Sequence, residues 1–428
     1  MISHQILPRR SEFLLTQAIE YMPIVLIHGP RQCGKTTLAQ AIGSPLGYTY
    51  HSFDDPKIRE AAQDDPMGFI HNLSDRAILD EVQLVPELFR PLKLSVDSNR
   101  KPGRLILTGS TSAHFLSELN DALAGRMLIV CLHPLSQQEL DQTTSTPFLE
   151  RLFRGTFPMT KMEPLDKNLL ERIVLGGYPA LLAIPSGPIR TSWYSSYVLS
   201  LVQKDILEIS GIRSIDTLPK LLTVVANMSS QLLNVSSLAS NLQMNTNTIR
   251  SYLGLLERQF LIERLLPWSS NQMRRLVKTP KIHICDTGLA CSLLDINVNF
   301  LKNNRTFLGH LVESFVFQEL RRQSSSSNDP YRFYHFRDRD GVEVDLIIER
   351  GAFQLCGIEV KASFSVNSSD FKSLRKVKAA HSDRFAFGAV LYDGDTCASY
   401  GDRMYAIPIR MLWESQPKDD KLFKGTNG

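Results

Sequence analysis

Residues 24–37 read IVLIHGPRQCGKTT, and this stretch decides the fold of the first part of the chain. The apolar run Ile24–His28 predicts a buried strand, and Lys35–Ile42 has the composition of a helix. Between them, Gly29 and Gly34 fit the pattern GxxxxGK[ST], a loop whose backbone N–H groups can surround a phosphate. Glycines are expected where such a loop bends and approaches its ligand closely. The order strand, loop, helix makes a chance match the minor alternative.

The side chains of this loop predict ATP with Mg²⁺ as the ligand. Lys35 would place its positive charge on the β- and γ-phosphates, and the hydroxyl of Thr36 would ligate Mg²⁺. The residues predicted to contact the nucleotide are Gly29, Pro30, Arg31, Gln32, Cys33, Gly34, Lys35, Thr36 and Thr37.

A second apolar run, Ala77–Leu79, ends in two carboxylates, Asp80 and Glu81. Asp80 is predicted to hold the Mg²⁺ shell, and Glu81 to orient or deprotonate the attacking water. The alternative is a strand that merely ends in surface acids. It is disfavoured because this is the next strong strand after the glycine-rich loop.

A third apolar run, Leu105–Leu107, ends in Thr-Gly-Ser, and Ser110 is the favoured candidate for sensing the γ-phosphate or positioning water. Further along, Arg126 follows a helical pattern. An arginine, commonly from a neighbouring subunit, can stabilise the charge of the transferring phosphoryl group. A surface cation at a helix end is the equal alternative for Arg126. Strands that alternate with helices in this way predict an α/β domain with a parallel sheet and ligands at the strand carboxyl ends.

Together these stretches resemble the AAA+ superfamily of P-loop ATPases. More specifically, the chain is similar to a group of bacterial and archaeal ATPases in which GPRQxGKTT, LDEVQ and an LTGS…LAGR stretch occur together. Later phrases fit the same group, namely GGYP at 176–179, KTPK at 278–281, DTGL at 286–289 and GHLVE at 309–313. The resemblance implies a homo-oligomer, and in that group the C-terminal half is a domain of unknown function.

The last third of the chain contains a candidate nuclease site. Asp345 lies on one predicted strand, and the next predicted strand ends in Glu359-Val-Lys361. This order resembles the PD-(D/E)XK arrangement of restriction-endonuclease-like folds, in which Asp345 and Glu359 would share a divalent metal and Lys361 would help to activate water. Glu313, on a preceding helix, would complete the set. Two alternatives stay open, because such a fold can cut or can keep its shape without cutting, and a solvated hairpin can carry the same residues.

Residues 231–270 predict a winged-helix-like module for binding DNA or for protein interaction. Its elements would be a helix over Ser236–Leu242, a turn over Gln243–Asn245, a second helix over Thr246–Gln259 and a wing over Phe260–Trp268. Recognition helices present their first turns to the major groove, and the polar residues there are Asn245, Asn247, Thr248 and Arg250. The apolar positions of the core side are Leu238, Ile249, Leu253 and Leu256. A basic run at 273–278 lies nearby and is either a DNA contact or a solvated loop.

The composition is that of a soluble globular protein, with 428 residues, 43% hydrophobic residues and a net charge of +4. Six scattered cysteines without a CxxC pair indicate reduced thiols, and neither a signal peptide nor a membrane-spanning run is visible, so a cytoplasmic location is expected. The predicted domains are a P-loop domain over 1–160, a helical region over 161–230, the winged-helix-like module over 231–270, a nuclease-like domain over 271–415 and a flexible tail over 416–428.

The sequence therefore predicts a Mg²⁺-dependent ATPase that couples hydrolysis to DNA binding or processing. The alternative is an ATP-gated switch or scaffold whose C-terminal half binds a protein partner without cutting DNA. An isolated restriction-type nuclease is disfavoured, because such an enzyme needs no ATPase site.

Overall fold

The computed structural model describes residues 6–109, 119, 121–143, 145–155, 157–162, 169–201, 217–269, 279–327 and 329–414. Internal contacts divide the chain into two compact units. The first unit comprises residues 1–135 with the short segments 178–180 and 325–328, and the second comprises residues 136–177, 181–324 and 329–428.

The first unit is a parallel α/β domain, as predicted. Its strands are β1 (Ile24–His28), β2 (Thr49–Ser52), β3 (Ala77–Asp80), β4 (Leu105–Gly109) and β5 (Met127–Cys131). Its helices are α1 (Ser11–Tyr21), α2 (Lys35–Gly43), α3 (Pro56–Asp64), α4 (Pro66–His71) and α5 (Phe89–Ser98). The five strands form one sheet in the order β2-β3-β4-β1-β5. Strand β2 gave no signal in the sequence because its residues, TYHS, are polar and partly exposed.

Both faces of this sheet are covered, which explains the continuous apolar runs of its central strands. Ile24 and Leu26 of β1 belong to one apolar cluster. Val25 and Ile27, which point the opposite way, belong to another. Strand β4 lies between β1 and β3, so the carboxyl ends of these three strands meet at one edge of the sheet.

The second unit combines helices with two sheets. Its helices are α6 (Gln137–Leu140), α7 (Phe148–Arg154), α8 (Leu169–Leu175), α9 (Pro188–Leu201), α10 (Thr217–Asn227), α11 (Val235–Asn241), α12 (Thr246–Arg258), α13 (Thr287–Leu293), α14 (Val298–Asn303), α15 (Arg305–Ser324) and α16 (Lys372–Ala380). Its strands are β6 (Thr160–Lys161), β7 (Gln231–Leu232), β8 (Ile262–Leu265), β9 (Lys281–Ile284), β10 (Tyr331–Arg337), β11 (Glu343–Arg350), β12 (Gln354–Lys361), β13 (Phe385–Tyr392), β14 (Thr396–Ser399) and β15 (Met404–Pro408). One sheet has the order β7-β9-β8, and the other has the order β10-β11-β12-β13-β15-β14-β6.

The boundary of the first domain differs from the predicted one at residue 160. Residues 136–160 belong to the second unit, where Gln137 donates its backbone N–H to the Glu319 carboxylate at 3.0 Å. The backbone N–H of Phe148 donates to Gln323 Oε1 at 3.1 Å. Once β5 has ended, the chain packs against α15 instead of continuing the first sheet. The predicted regions 161–230, 231–270 and 271–415 likewise share one compact unit, apart from residues 178–180 and 325–328.

The helix–turn–helix prediction is confirmed at the level of its elements, since α11 and α12 lie where the two helices were expected. The side chains of the expected core side, Leu238, Ile249, Leu253 and Leu256, are all buried. The last residue of the predicted wing does not lie on the surface. Trp268 is buried and donates from its indole N–H to Glu349 Oε1 at 3.0 Å. The end of that segment is therefore part of the protein core and is closed to a ligand.

A buried carboxylate, Asp286, joins several segments of the second unit. It is 1% exposed and begins α13 as its N-cap, accepting the backbone N–H of Leu289 at 3.1 Å. The backbone N–H of Gly177 donates to it at 2.7 Å, and the Tyr194 hydroxyl donates at 2.9 Å. Arg322, from α15, makes an ion pair with it at 3.3 Å. These contacts give the GGYP and DTGL phrases a structural reason.

Substitution of Gly176 tests this junction. Gly176 has φ +70°, and a Cβ there would lie 2.3 Å from Asp286 Oδ1 and 2.8 Å from the Tyr194 hydroxyl. We expect Gly176→Ala to lower the free energy of unfolding of the second unit by about 3 kcal/mol, because a steric clash adds to the backbone cost. Gly341→Ala is the matched control, since Gly341 has φ +75° with nothing within 4 Å. It should cost about 1 kcal/mol. Equal urea-denaturation midpoints for the two variants would contradict the expectation.

Candidate functional site

The glycine-rich loop lies between β1 and α2, at the carboxyl edge of the parallel sheet. Lys35 is buried, and its Nζ donates to the carbonyl oxygens of Gly29 at 3.2 Å and Pro30 at 2.9 Å. The ammonium group thus lies inside the loop, where phosphate oxygens can replace those two carbonyls. A Cβ on Gly29 would lie 2.0 Å from the carbonyl oxygen of Leu132. Glycine is therefore required there by packing against the chain after β5.

Arg9 holds this loop from outside, and its position before α1 gave no signal in the sequence. Its guanidinium donates to the carbonyl oxygen of Cys33 at 2.7 Å and to that of His133 at 2.6 Å. Cys33 is buried, and its Sγ lies 3.3 Å from the carbonyl oxygen of Leu132. The loop is consequently fixed to the segment that follows β5 by both a cation and a thiol.

Asp80, at the end of β3, is 3% exposed and accepts three hydroxyl groups. Thr36 Oγ1 donates to its Oδ1 at 2.8 Å, and Thr108 Oγ1 donates to the same oxygen. The Tyr50 hydroxyl donates to its Oδ2 at 2.8 Å. Burial and the neighbouring Asp80 carboxylate raise the pKa of Tyr50 to about 12. Tyr50 and Thr108 were not predicted as site residues, although Thr108 lies on the strand end that was singled out.

This cluster is called the Asp80 corner and consists of Asp80, Thr36, Thr108 and Tyr50. Its oxygen atoms fit Mg²⁺. A carboxylate oxygen and a threonine hydroxyl lie 2.8 Å apart, and Mg²⁺ prefers hard oxygen ligands of this kind with water and phosphate oxygens completing the shell. Thr36 and Asp80 are the residues that would hold the ion, and their role as its ligands stays a prediction.

Glu81 follows Asp80 and has a left-handed backbone conformation, with φ 59°. Its backbone N–H donates to Thr108 Oγ1 at 3.1 Å, and its carboxylate accepts from the Gln83 side chain. Non-glycine residues with positive φ are uncommon and cost about 1 kcal/mol or more. The sheet edge therefore fixes Glu81 directly beside the Asp80 corner.

The two remaining candidates of the first unit have different outcomes. Ser110 lies outside the described residues. Arg126 precedes β5, and its carbonyl oxygen accepts the N–H of Ile24 at 3.2 Å, which places it at the amino edge of the sheet. That edge is about 13 Å from the loop at 3.3 Å per residue along β1. The guanidinium of Arg126 binds both carboxylate oxygens of Asp97, at 2.6 and 2.9 Å. A role toward a neighbouring subunit stays a prediction.

The second unit brings all four residues of the candidate nuclease site together. The register of β11 and β12 pairs Leu346 with Ile358, so Asp345 and Glu359 are the next pair along the two strands. Lys361 Nζ lies 3.5 Å from Glu359 Oε2. The predicted order of elements, helix, three strands, helix, strand, is confirmed by α15, β10, β11, β12, α16 and β13. The D…ExK cluster is defined here as Glu313, Glu343, Asp345, Glu359 and Lys361.

Lys281, which was not predicted as a site residue, lies among these carboxylates. Its buried Nζ is 2.8 Å from Glu313 Oε1, 3.0 Å from Glu343 Oε1 and 3.2 Å from Asp345 Oδ1. The sequence signal was KTPK at 278–281, but nothing in its spacing relates it to the later acids. The ammonium thus contacts Asp345, one of the two residues that were predicted to bind the metal.

Burial and mutual repulsion shift the pKa values of two acids in the D…ExK cluster. Burial and the nearby Asp345 carboxylate raise the pKa of Glu313 to about 8. The same two causes raise the pKa of Glu359 to about 9. Burial and the neighbouring carboxylate thus both disfavour the charged form of Glu359.

The residues of the D…ExK cluster do not fit a divalent ion as they stand. One oxygen of Asp345 faces Lys281, and the other accepts the backbone N–H of Val360 at 3.0 Å. Within the described ranges, no group of three or more His, Cys, Asp or Glu side chains is placed to hold a metal. The assignment of Asp345 and Glu359 as metal ligands stays a prediction that this arrangement opposes.

The candidate DNA-contacting residues lie at the start of α12. Asn245 caps the helix by accepting the backbone N–H of Asn247 at 2.8 Å. The side chains of Asn247 and Arg250 are exposed and joined by a hydrogen bond of 3.1 Å. Thr248 is half-buried. The basic run at 273–278 lies outside the described residues.

Residues 21–141 match the family model described as an AAA domain. This segment contains the loop, the Asp80 corner and the five-stranded sheet. This part of the chain is similar to P-loop domains of the AAA type. Residues 166–299 and 308–412 match two further family models, each described as a domain of unknown function. In the described part of the chain, no helix combines the length and apolar character needed to cross a membrane.

Relatives of the chain extend over most of its length. An uncharacterized protein of Mycobacterium tuberculosis is 27% identical over 95% of this chain and 85% of that protein. An uncharacterized protein of Methanocaldococcus jannaschii is 22% identical over 91% of this chain and 87% of that protein.

Among solved structures, a Walker-type ATPase of Pyrococcus abyssi matches with a TM-score of 0.40 and 16% identity, over 68% of this chain and 97% of that chain. The Holliday junction branch migration motor RuvB of Thermotoga maritima matches with a TM-score of 0.30 and 18% identity, over 59% of this chain and 88% of that chain.

Arg9 provides a test of how the first unit shapes its glycine-rich loop. We expect Arg9→Ala to weaken the binding of a fluorescent ATP analogue at least tenfold, because each charge-assisted hydrogen bond that is lost costs about 1.5–3 kcal/mol. Titration monitored by fluorescence anisotropy measures this. Arg90→Ala is the control, since Arg90 is exposed on α5 of the same unit. An affinity in Arg9→Ala equal to that of the control would mean that the loop keeps its shape without the arginine.

Proposed function

We propose that this chain binds Mg·ATP and hydrolyses it at the edge of the AAA sheet. The observation that carries the proposal is the buried Asp80 carboxylate, which receives the Thr36 hydroxyl of the loop and the Thr108 hydroxyl of β4. The loop and the neighbouring strand thus both donate to the carboxylate that is proposed to bind the metal. The match of residues 21–141 to an AAA domain supports the same function.

Each residue of the corner has a role in this proposal. Lys35 releases the carbonyls of Gly29 and Pro30 and binds the β- and γ-phosphates. Thr36 and Asp80 would hold Mg²⁺, which when bound would help to neutralise the charge on the phosphates. Glu81 orients the attacking water or accepts its proton, and Gln83 fixes the carboxylate of Glu81 through a hydrogen bond.

The partner proposed for the second unit is DNA, contacted through the first turn of α12. Its exposed Asn247 and Arg250 are side chains that can bind base edges and phosphates. Hydrolysis would then be coupled to DNA binding in a homo-oligomer. A protein partner gated by ATP is the competing function, and the response of hydrolysis to DNA separates the two.

The ATPase assignment is tested by two substitutions, one expected to weaken ATP binding and the other to slow ATP hydrolysis. We expect Lys35→Ala to weaken ATP binding roughly 100-fold or more, because two charge-assisted contacts to phosphate are lost. Glu81→Gln should bind ATP normally and hydrolyse it about 100-fold more slowly, because a group that orients or deprotonates water is removed. ATP affinity and phosphate release are measured in parallel with Mg²⁺. Normal hydrolysis by Glu81→Gln would remove Glu81 from the mechanism.

The DNA assignment is tested on α12 itself. We expect Arg250→Ala to weaken binding to duplex DNA about tenfold at low salt, because a contact of this kind contributes about 1–3 kcal/mol. Arg258→Ala, an exposed arginine at the other end of the same helix, should leave the affinity unchanged. The same proteins are assayed for ATP hydrolysis with single-stranded, duplex and branched DNA. No DNA binding and no stimulation, with Lys35→Ala still abolishing basal hydrolysis, would favour the ATP-gated protein partner.

A further inference from the structure

We infer that the Lys281 ammonium is the built-in cation of the D…ExK cluster and excludes a divalent metal from it. The spacing of Asp345, Glu359 and Lys361 leads one to expect a metal-dependent nuclease, and the second unit does assemble these residues. The additional lysine changes their chemistry. The second unit would then carry a nuclease-like arrangement that does not cut DNA.

Lys281 donates hydrogen bonds to Glu313 and Asp345 and makes an ion pair with Glu343. An ammonium has three donors, and Nζ has three carboxylate oxygens within 3.2 Å, from Glu313, Glu343 and Asp345. These acids come from α15 and β11, so one cation joins two elements of the unit. A metal placed among the same oxygens would lie in contact with this positive charge.

The position of Lys281 in the fold also keeps its ammonium group from moving out of the D…ExK cluster. It begins β9, the central strand of the three-stranded sheet, and its backbone is paired with Leu232 on one side and Leu265 on the other. The residue is 3% exposed. Moving the ammonium away would leave the carboxylates without their counter-charge, and breaking such a buried set is costly because an uncompensated charge remains.

Other carboxylate oxygens of the D…ExK cluster also have partners within the protein. Asp345 Oδ2 is bound by the backbone N–H of Val360 at 3.0 Å. Glu359 faces Lys361 at 3.5 Å. Each acid that a metal would need thus already has an internal partner. The cluster therefore acts as an ion-pair junction between the sheet beside α12 and the seven-stranded sheet.

Binding of Mn²⁺, used as the probe, tests this inference. The measurements are made without nucleotide on full-length chains carrying Asp80→Asn, so that the ATPase corner does not contribute. Free Mn²⁺ is followed by electron paramagnetic resonance. We expect any Mn²⁺ binding in this background to be weak, and we expect one site that binds Mn²⁺ at least tenfold more tightly when Lys281→Met is added. Adding Asp345→Asn should abolish that new site. Lys302→Met is the control, because Lys302 is an exposed lysine on α14 of the same unit.

The native arrangement gives a second measurement that does not depend on Lys281→Met folding. The Asp80→Asn chain and the same chain with Asp345→Asn should bind equal amounts of Mn²⁺. A site present in the first and lost in the second would overturn the inference, as would unchanged Mn²⁺ affinity in a folded Lys281→Met chain. Mg²⁺-dependent DNA cleavage by the native chain that Glu359→Gln abolishes would also overturn it, whereas the ATPase proposal would be unaffected.

Discussion

A carboxylate that is removed from water has to be given hydrogen-bond donors or a counter-charge, and the functional regions of both units depend on this requirement. In the first unit, Asp80 gathers hydroxyls from the glycine-rich loop, from β2 and from β4. In the second unit, Asp286 gathers donors from the segment after α8, from α9 and from α15. Each carboxylate selects one arrangement of its surroundings, because a donor placed elsewhere would leave it unsatisfied.

The D…ExK cluster meets the same requirement by a different route. Its acids are too numerous for backbone donors alone, and the two lysines Lys281 and Lys361 supply the positive charge. In the Asp80 corner the donors are hydroxyls, which can turn toward a nucleotide or a metal at little cost. In the D…ExK cluster the donor is a buried ammonium, which cannot be exchanged so easily. This contrast is why one carboxylate site is proposed to bind a metal and the other is not.

Much of the first unit could be predicted from sequence because its signals are local. The loop between β1 and α2 can be recognised from a few consecutive residues, and so can the acids at the end of β3. Arg9, Tyr50 and Lys281 could not be found in this way, because their partners lie far away in the chain. The contacts that Gln137 and Phe148 make with residues of α15 are distant in the same way, so the sequence around residues 136–160 does not reveal them. The nuclease-like element order could be predicted, but the cation at its centre could not.

Strand β9 and the residue pair beyond it place several of these contacts within six consecutive residues. Lys281 reaches the D…ExK cluster, His283 Nδ1 lies 2.9 Å from Ser314 Oγ on α15, and Asp286 caps α13. The strand itself is the centre of the sheet that adjoins α12. The two regions named as domains of unknown function are therefore not independent modules. A chimera that exchanged only the C-terminal one would have to import β9 with it, and evolution by domain shuffling would meet the same obstacle.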